Sequence, residues 1–181
     1  MYKNQYKIIK EFYKNKRILI TGATGFKGSW LAFWLSKIGA KVYTIGNNPN
    51  KNKSLFYGLN LEKRTKLSIL DIRNFSKLDL VIKKIKPEII FHLAAQPLIF
   101  ESYKKPKDTY EINALGTLNL LESCRQNKSL KSLICVTSDK CYESNYSLKG
   151  FKETDKLGGK DPYSGSKACA EIITKTYAES F

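Results

Sequence analysis

Arg17-Ile18-Leu19-Ile20-Thr21-Gly22-Ala23-Thr24-Gly25-Phe26-Lys27-Gly28 is the stretch that decides the fold. An apolar run with no polar alternation needs apolar cover on both faces, which is how a buried parallel strand reads. The run stops at Gly22, and a helical pattern with a broad apolar face occupies 29–38, through Trp30, Leu31, Phe33, Trp34, Leu35 and Ile38. Between them the glycines recur as G-x-x-G-x-x-G. In a strand–turn–helix, Gly22 allows the tight turn, Gly25 lets backbone approach an anion, and Gly28 lets the helix pack near the strand. The helix N-terminus then attracts phosphate.

Working outward, Gly39 stands where the helix would be capped, and 41–45 reads as a second strand closed by Gly46-Asn47-Asn48-Pro49. Residues 47–65 read as an irregular connection with one short helix. A third strand spans 66–70 and ends at Asp71-Ile72. A helix capped by Asn74 or Ser76 runs to about Ile85 and is broken at Pro87. The fourth strand, 88–93, exits through Ala94-Ala95-Gln96-Pro97. A long helix is expected over 108–126, with Trp30 and Trp34 of the first helix in the core. A fifth strand at 133–137 exits at Ser138-Asp139-Lys140, and 141–161 is a loop. A last helix opens after Pro162, with Ala168, Cys169, Ile172, Ile173 and Tyr177 on one side. Strand and helix alternate throughout, the pattern of an α/β doubly wound parallel sheet over 17–181. Residues 1–16 form a basic arm or helix, with Ile8, Ile9, Phe12 and Tyr13 at helical spacing among lysines. A docking segment is one reading and a membrane-surface helix the other. Phe181 falls inside a helical pattern without a stop signal, so a longer protein is expected.

Composition narrows the partners. Apolar residues are 42% and aromatics 12% of 181, which excludes disorder and low complexity. No stretch nears the ~18 apolar residues of a membrane span. The basic N-terminus lacks the apolar core of a secretory signal. The net charge is +16, but only four of the 32 basic residues are arginines and the lysines are dispersed. That pattern reads as a lysine-rich surface, not a nucleic-acid site. Cys124, Cys135, Cys141 and Cys169 form no C-x-x-C pair and stand with a single histidine. Neither a metal site nor a disulfide framework is expected, and the thiols should be free in a reducing cytoplasm.

Candidate site residues cluster at strand exits. Where an acid would hold the adenosine ribose, the chain has Gly46-Asn47-Asn48, and no arginine there would greet a 2′-phosphate, so NAD is favoured over NADP. Asp71 could bond the adenine amino group, or cap the next helix. Tyr163 and Lys167, four apart, share a helix face. An adjacent ammonium favours tyrosinate, which makes the phenol a base toward a sugar hydroxyl. Thr137-Ser138-Asp139-Lys140 offers hydroxyls, a carboxylate and an ammonium at a sheet edge, or else is an exposed polar turn. His92 reads as a core histidine, and Lys83, Lys84 and Lys86 as a solvated face.

Taken together, the chain resembles the extended short-chain dehydrogenase/reductase family, and within it the branch that dehydrates CDP-glucose. The resemblance runs from Phe12 onward through TGATGFKGSWL (21–31), LDIR (70–73), HLAAQPL (92–98), TSDKCY (137–142), Gly158-Gly159 and DPYS (161–164). It implies a Rossmann fold that binds NAD through Gly22, Thr24, Gly25, Phe26, Lys27, Gly28, Asn47, Asp71, Ile72, Leu93, Ala94, Ala95, Gln96, Thr137, Tyr163 and Lys167. It implies oxidation of the sugar at C4 with Tyr163 and Lys167 taking the O4 proton, loss of water across C5–C6, and return of hydride to C6. In that scheme Ser138 bonds near O4, and Asp139 protonates the departing C6 hydroxyl. Lys140 stands where relatives carry a glutamate base. The product would be CDP-4-keto-6-deoxyglucose, a precursor of surface-polysaccharide sugars. The family also implies a homodimer through the helices at 108–126 and 162–181. A sister dehydratase or epimerase, or a non-catalytic cofactor-binding domain, is the alternative.

Overall fold

In the central strand β1 (Arg17–Thr21), Ile18 and Ile20 join one hydrophobic core and Leu19 joins another, so the apolar run is covered on both sides. The computed structural model describes residues 2–143 and 150–181. β1 pairs in parallel with β2 (Lys41–Gly46) and β4 (Ile89–His92). Beyond them lie β3 (Lys66–Ile69) and β5 (Ser132–Cys135), in the order β3-β2-β1-β4-β5. The chain winds outward from β1 to β3, then crosses to β4 on the other side. This reversal opens a crevice at the carboxyl ends of β1 and β4, where open α/β sheets hold ligands. The arrangement is the doubly wound Rossmann fold expected from the alternation.

The Ile18–Ile20 core takes Ala32, Leu35 and Ile38 from α2 (Phe26–Lys37) and its C-terminal cap, with Phe56 of the short α3 (Leu55–Gly58). The Leu19 core takes Leu78 and Ile82 from α4 (Phe75–Ile85), together with Leu120 and Cys124. Each buried Leu, Ile or Phe among them contributes about 1.5–3 kcal/mol. Gly39 follows α2 with φ +92°, and Lys86, with φ +50°, ends α4 just before Pro87. Asn74 caps α4 by accepting from the Lys77 N–H, so Asp71 is not the cap.

Other expectations need correction. Trp30 and Trp34 are nearly half exposed, not core. The buried face of α2 runs through Gly28, Ala32 and Leu35, and a 100° step per residue puts 30 and 34 on the opposite side. Trp34 instead meets Tyr13, the docked end of α1 (Tyr2–Tyr13), at 6.2 Å; Ile8 and Phe12 of α1 face solvent. The expected single helix at 108–126 is composite. After an unforeseen α5 (Ile99–Lys104) come α6 (Pro106–Tyr110), a π-helical stretch Glu111–Leu115 and α7 (Gly116–Cys124). The wider π turn changes the helical phase, so apolar residues at 112, 115, 118 and 121 do not share a face, and Leu115 is half exposed. In α8 (Pro162–Ser180) the buried residues are Ser164, Ser166, Lys167, Ala168 and Ala170, while Ile172 is exposed.

The middle of the 141–161 loop lies outside the described residues; its flanks join Tyr142 to Leu157 in an isolated antiparallel bridge. Among the described residues, no helix is long and apolar enough to cross a membrane, and no group of three or more His, Cys, Asp or Glu could hold a metal ion.

Candidate active site

The β1–α2 turn is built by contact with the exit of β4. Gly22 adopts φ +68°, and a Cβ on it would lie 2.6 Å from the Ala94 nitrogen and the Leu93 carbonyl carbon. A Cβ on Gly28 would lie 2.3 Å from the Gly22 carbonyl oxygen. Both glycines are thus forced by close backbone packing. A Cβ on Gly25, the N-terminal boundary of α2, would meet only the Gly22 oxygen, at 3.3 Å. Gly25 to Gly28 therefore present the opening turn of α2, with its unpaired amides, to a cavity of about 550 Å³ at the carboxyl edge of the sheet.

That cavity collects residues from across the chain. Gly22, Thr24, Phe26 and Lys27 line it from the turn, Gly46 and Asn47 from the end of β2, and Asp71 and Ile72 from the end of β3. Leu93, Ala94 and Ala95 come from the exit of β4, Thr137 from the exit of β5, and Tyr163 and Lys167 from α8. Ile45, Leu70, Pro97, Ile112 and Val136 complete the wall and were not foreseen; apolar residues beside strand ends carry no chemical signal of their own. Toward the β3 end, Arg73 bonds the Asp71 carboxylate through Nη2 at 2.7 Å and Nε at 3.0 Å, which holds that carboxyl below its ordinary range. Asp108 and Glu111 approach the same guanidinium at 3.3 and 3.5 Å.

Behind the wall runs a buried relay whose proton positions follow from counting. Thr117 donates its one hydroxyl proton to the Asn113 carbonyl, 2.6 Å away, so it accepts from His92 Nε2 at 3.0 Å. The bare Nδ1 then accepts from Thr21 Oγ1 at 2.6 Å, and Thr21 accepts in turn from the Ala94 N–H at 3.2 Å. Burial, with Lys167 nearby, pushes His92 down to about 3, so the ring is neutral and shapes the β4 exit from within the core. Asn113, unforeseen, bonds both backbone groups of Gln96 and Ser166 Oγ. Gln96 itself lies outside the cavity lining, because its side chain bonds Thr109 and Leu98.

Lys167 is only 6% exposed, and its Nζ donates to the Val136 carbonyl at 3.2 Å. Burial lowers its pKa, opposed by Cys135, Cys141 and Glu171 and reinforced by Lys27. Thr137 donates its hydroxyl to Glu171, so toward the cavity that oxygen can only accept. Ser138, Asp139 and Lys140 do not line the cavity. Ser138 caps a short 3₁₀ turn, Asp139–Cys141, its Oγ donating to Asp139 Oδ1 and accepting from the Lys140 N–H. Asp139 and Lys140 face solvent.

A family model described as GDP-mannose 4,6 dehydratase matches residues 19–181. The chain belongs to that family. Its curated relatives include the CDP-glucose 4,6-dehydratase of Salmonella typhimurium, 44% identical over 174 residues, 96% of this chain and 48% of the relative. The GDP-mannose 4,6-dehydratase of Vibrio cholerae serotype O1 is 31% identical over 92% of this chain and 47% of its own. Among solved structures, the epimerase Mth375 of Methanothermobacter thermautotrophicus superposes with a TM-score of 0.83, at 26% identity, over 94% of this chain and 50% of that one. The Thermus thermophilus UDP-glucose 4-epimerase, solved as a complex with NAD, gives 0.78 at 29% identity, over 91% of this chain and 51% of that one. The chain spans about half the length of the curated relatives it matches.

Proposed function

We propose that this chain is the cofactor-binding half of an NAD-dependent CDP-glucose 4,6-dehydratase. The observation that carries the reading is the joining of the glycine turn with Tyr163 and Lys167 in one cavity, beside a strand exit that delivers Asp139. The residues fit the cofactor. The cradle at Gly22 and Gly28 tolerates no Cβ, and the α2 N-terminus suits a pyrophosphate. Asn47 and Asp71 stand at the adenosine end, and Arg73 there is held by three carboxylates, leaving it engaged rather than open to a 2′-phosphate. NAD held there would supply a hydride acceptor for C4 and a donor for C6.

The chain's own groups handle protons. Tyr163 takes the proton from O4, with Lys167 lining the same cavity. Ser138 orients O4. Once C4 is a ketone, the C5 hydrogen is acidic and leaves as a proton to the solvent that the turn at 139 and 140 faces, while Asp139 protonates the C6 hydroxyl, which departs as water. An epimerase has no leaving hydroxyl to protonate, so an acid at 139 favours the dehydratase reading. The 44% identity to the Salmonella CDP-glucose enzyme favours the cytidine nucleotide. We also place two copies in a homodimer across α8 and the composite helix that runs from α6 through α7, where Ile172 of α8 and Leu115 of the π-helical stretch are half exposed. The test is to supply CDP-glucose to the full-length protein and look for the ultraviolet band of the alkali-treated 4-keto-6-deoxy sugar. That band is expected with CDP-glucose and weak with UDP- or GDP-sugars; its absence with CDP-glucose overturns the reading.

A further inference from the structure

We propose that Glu171 is a positioning residue of this site: it anchors Thr137 so that the turn bearing Ser138 and Asp139 is held against the helix that bears Tyr163 and Lys167. The inference rests on the dehydratase reading for its kinetic consequence, and on geometry alone for its structural one.

Tyr163, Lys167 and Glu171 follow one another at four-residue steps along α8, so they form a ladder on one face. The two lower rungs grip consecutive residues at the exit of β5. Lys167 Nζ bonds the Val136 carbonyl at 3.2 Å, and Glu171 accepts the Thr137 hydroxyl. The next residues make the 3₁₀ turn, closed by the Lys140 N–H on Ser138 Oγ at 3.2 Å and the Cys141 N–H on the Ser138 carbonyl at 3.0 Å. Nothing in that turn bonds α8 directly among the described hydrogen bonds. The turn packs against α8, and its polar connection to the helix of Tyr163 passes through the clasp at 136 and 137. A bond from an ionised carboxylate to a hydroxyl is among the stronger kinds. The carboxylate also lies within electrostatic reach of Lys167, whose other charged or titratable neighbours are Cys135, Cys141, Lys27 and His92.

The test uses full-length protein with NAD and three variants. Glu171→Ala should lower kcat by about tenfold or more with little change in KM for CDP-glucose, as misplaced groups do. Thr137→Val should lose as much, and the double variant no more than either alone. Glu171→Gln keeps an acceptor without the charge, so it should recover most of the kcat lost in Glu171→Ala. Without the carboxylate, Lys167 loses its proton more readily, and the alkaline limb of the kcat profile should move to lower pH. In the absence of substrate, hydrogen exchange at Lys140 and Cys141 should quicken about tenfold in Glu171→Ala and stay near wild type in Glu171→Gln. If wild type ignores CDP-glucose, the dehydratase reading fails while the exchange comparison still decides the anchor. Should Glu171→Ala not fold, Thr137→Val and Glu171→Gln carry the same comparison. Wild-type exchange and kcat in Glu171→Ala, or additive losses in the double variant, overturn the proposal.

Discussion

Asn113 and Gln96 are paired at both ends of one amide: Asn113 Oδ1 accepts the Gln96 N–H at 2.8 Å, and its Nδ2 donates to the Gln96 carbonyl at 3.1 Å. The same Nδ2 reaches Ser166 Oγ at 2.9 Å, and Ser166 in turn bonds the Tyr163 carbonyl at 2.6 Å. One buried side chain thus ties the loop after β4 to the first turn of α8. Asn113→Ala leaves these groups without partners and should lower stability by roughly 2–4 kcal/mol. Urea unfolding with fixed slope is the measurement.

The glycines separate binding from folding. At Gly25 a Cβ meets the Gly22 oxygen at 3.3 Å, a tight contact that a small shift relieves, and the Val side chain of Gly25→Val would sit in the cavity wall. It should cost about 1 kcal/mol or less in stability and at least tenfold in NAD affinity. Gly28→Ala drives a Cβ into backbone and should cost about 2 kcal/mol or more in stability itself. Cofactor titration beside urea unfolding distinguishes them.

His92 predicts a pH dependence. Its folded value is about 3, against 6.5 when unfolded, so between those values the unfolded chain binds the extra proton. The stability it contributes is fully present above pH 6.5 and is lost as pH falls toward 3. The loss between pH 7.5 and pH 5 is about 2 kcal/mol. His92→Gln should flatten the profile by that amount, which acid-range urea titrations of the two proteins would show.

The dimer has its own test. Ile172→Glu places a charge on the exposed side of α8. Full-length wild type should sediment as a dimer at micromolar concentration and the variant as a monomer; a monomeric wild type would contradict the assignment.

Strand positions were legible because both-face burial writes itself as unbroken apolar runs, as at Ile18-Leu19-Ile20 and Ile89-Ile90. The glycine turn was legible because only glycine fits at 22 and 28. The Trp30 and Trp34 expectation failed because hydrophobicity alone does not say which side of α2 meets the sheet. The π turn was illegible because no local propensity marks it; its Asn113 is held by bonds to Gln96 after β4 and to Ser166 of α8, which only the folded chain brings together. In the site, Tyr163 and Lys167 stood out by spacing and context. Glu171 continued the same four-residue step and could have been found by extending it. Asn113 could not, since a lone Asn in a helical pattern usually faces solvent.

The central claim is that one cavity oxidises the sugar while the adjoining turn expels its water. Stopped-flow absorbance of reduced nicotinamide, after mixing full-length Asp139→Asn with CDP-glucose, tests it most directly. The first base is intact and the acid is missing, so reduced cofactor should appear at close to the wild-type rate and then persist, with little 4-keto-6-deoxy product. No rise at all, or a rise that decays into product at the wild-type rate, would contradict the account.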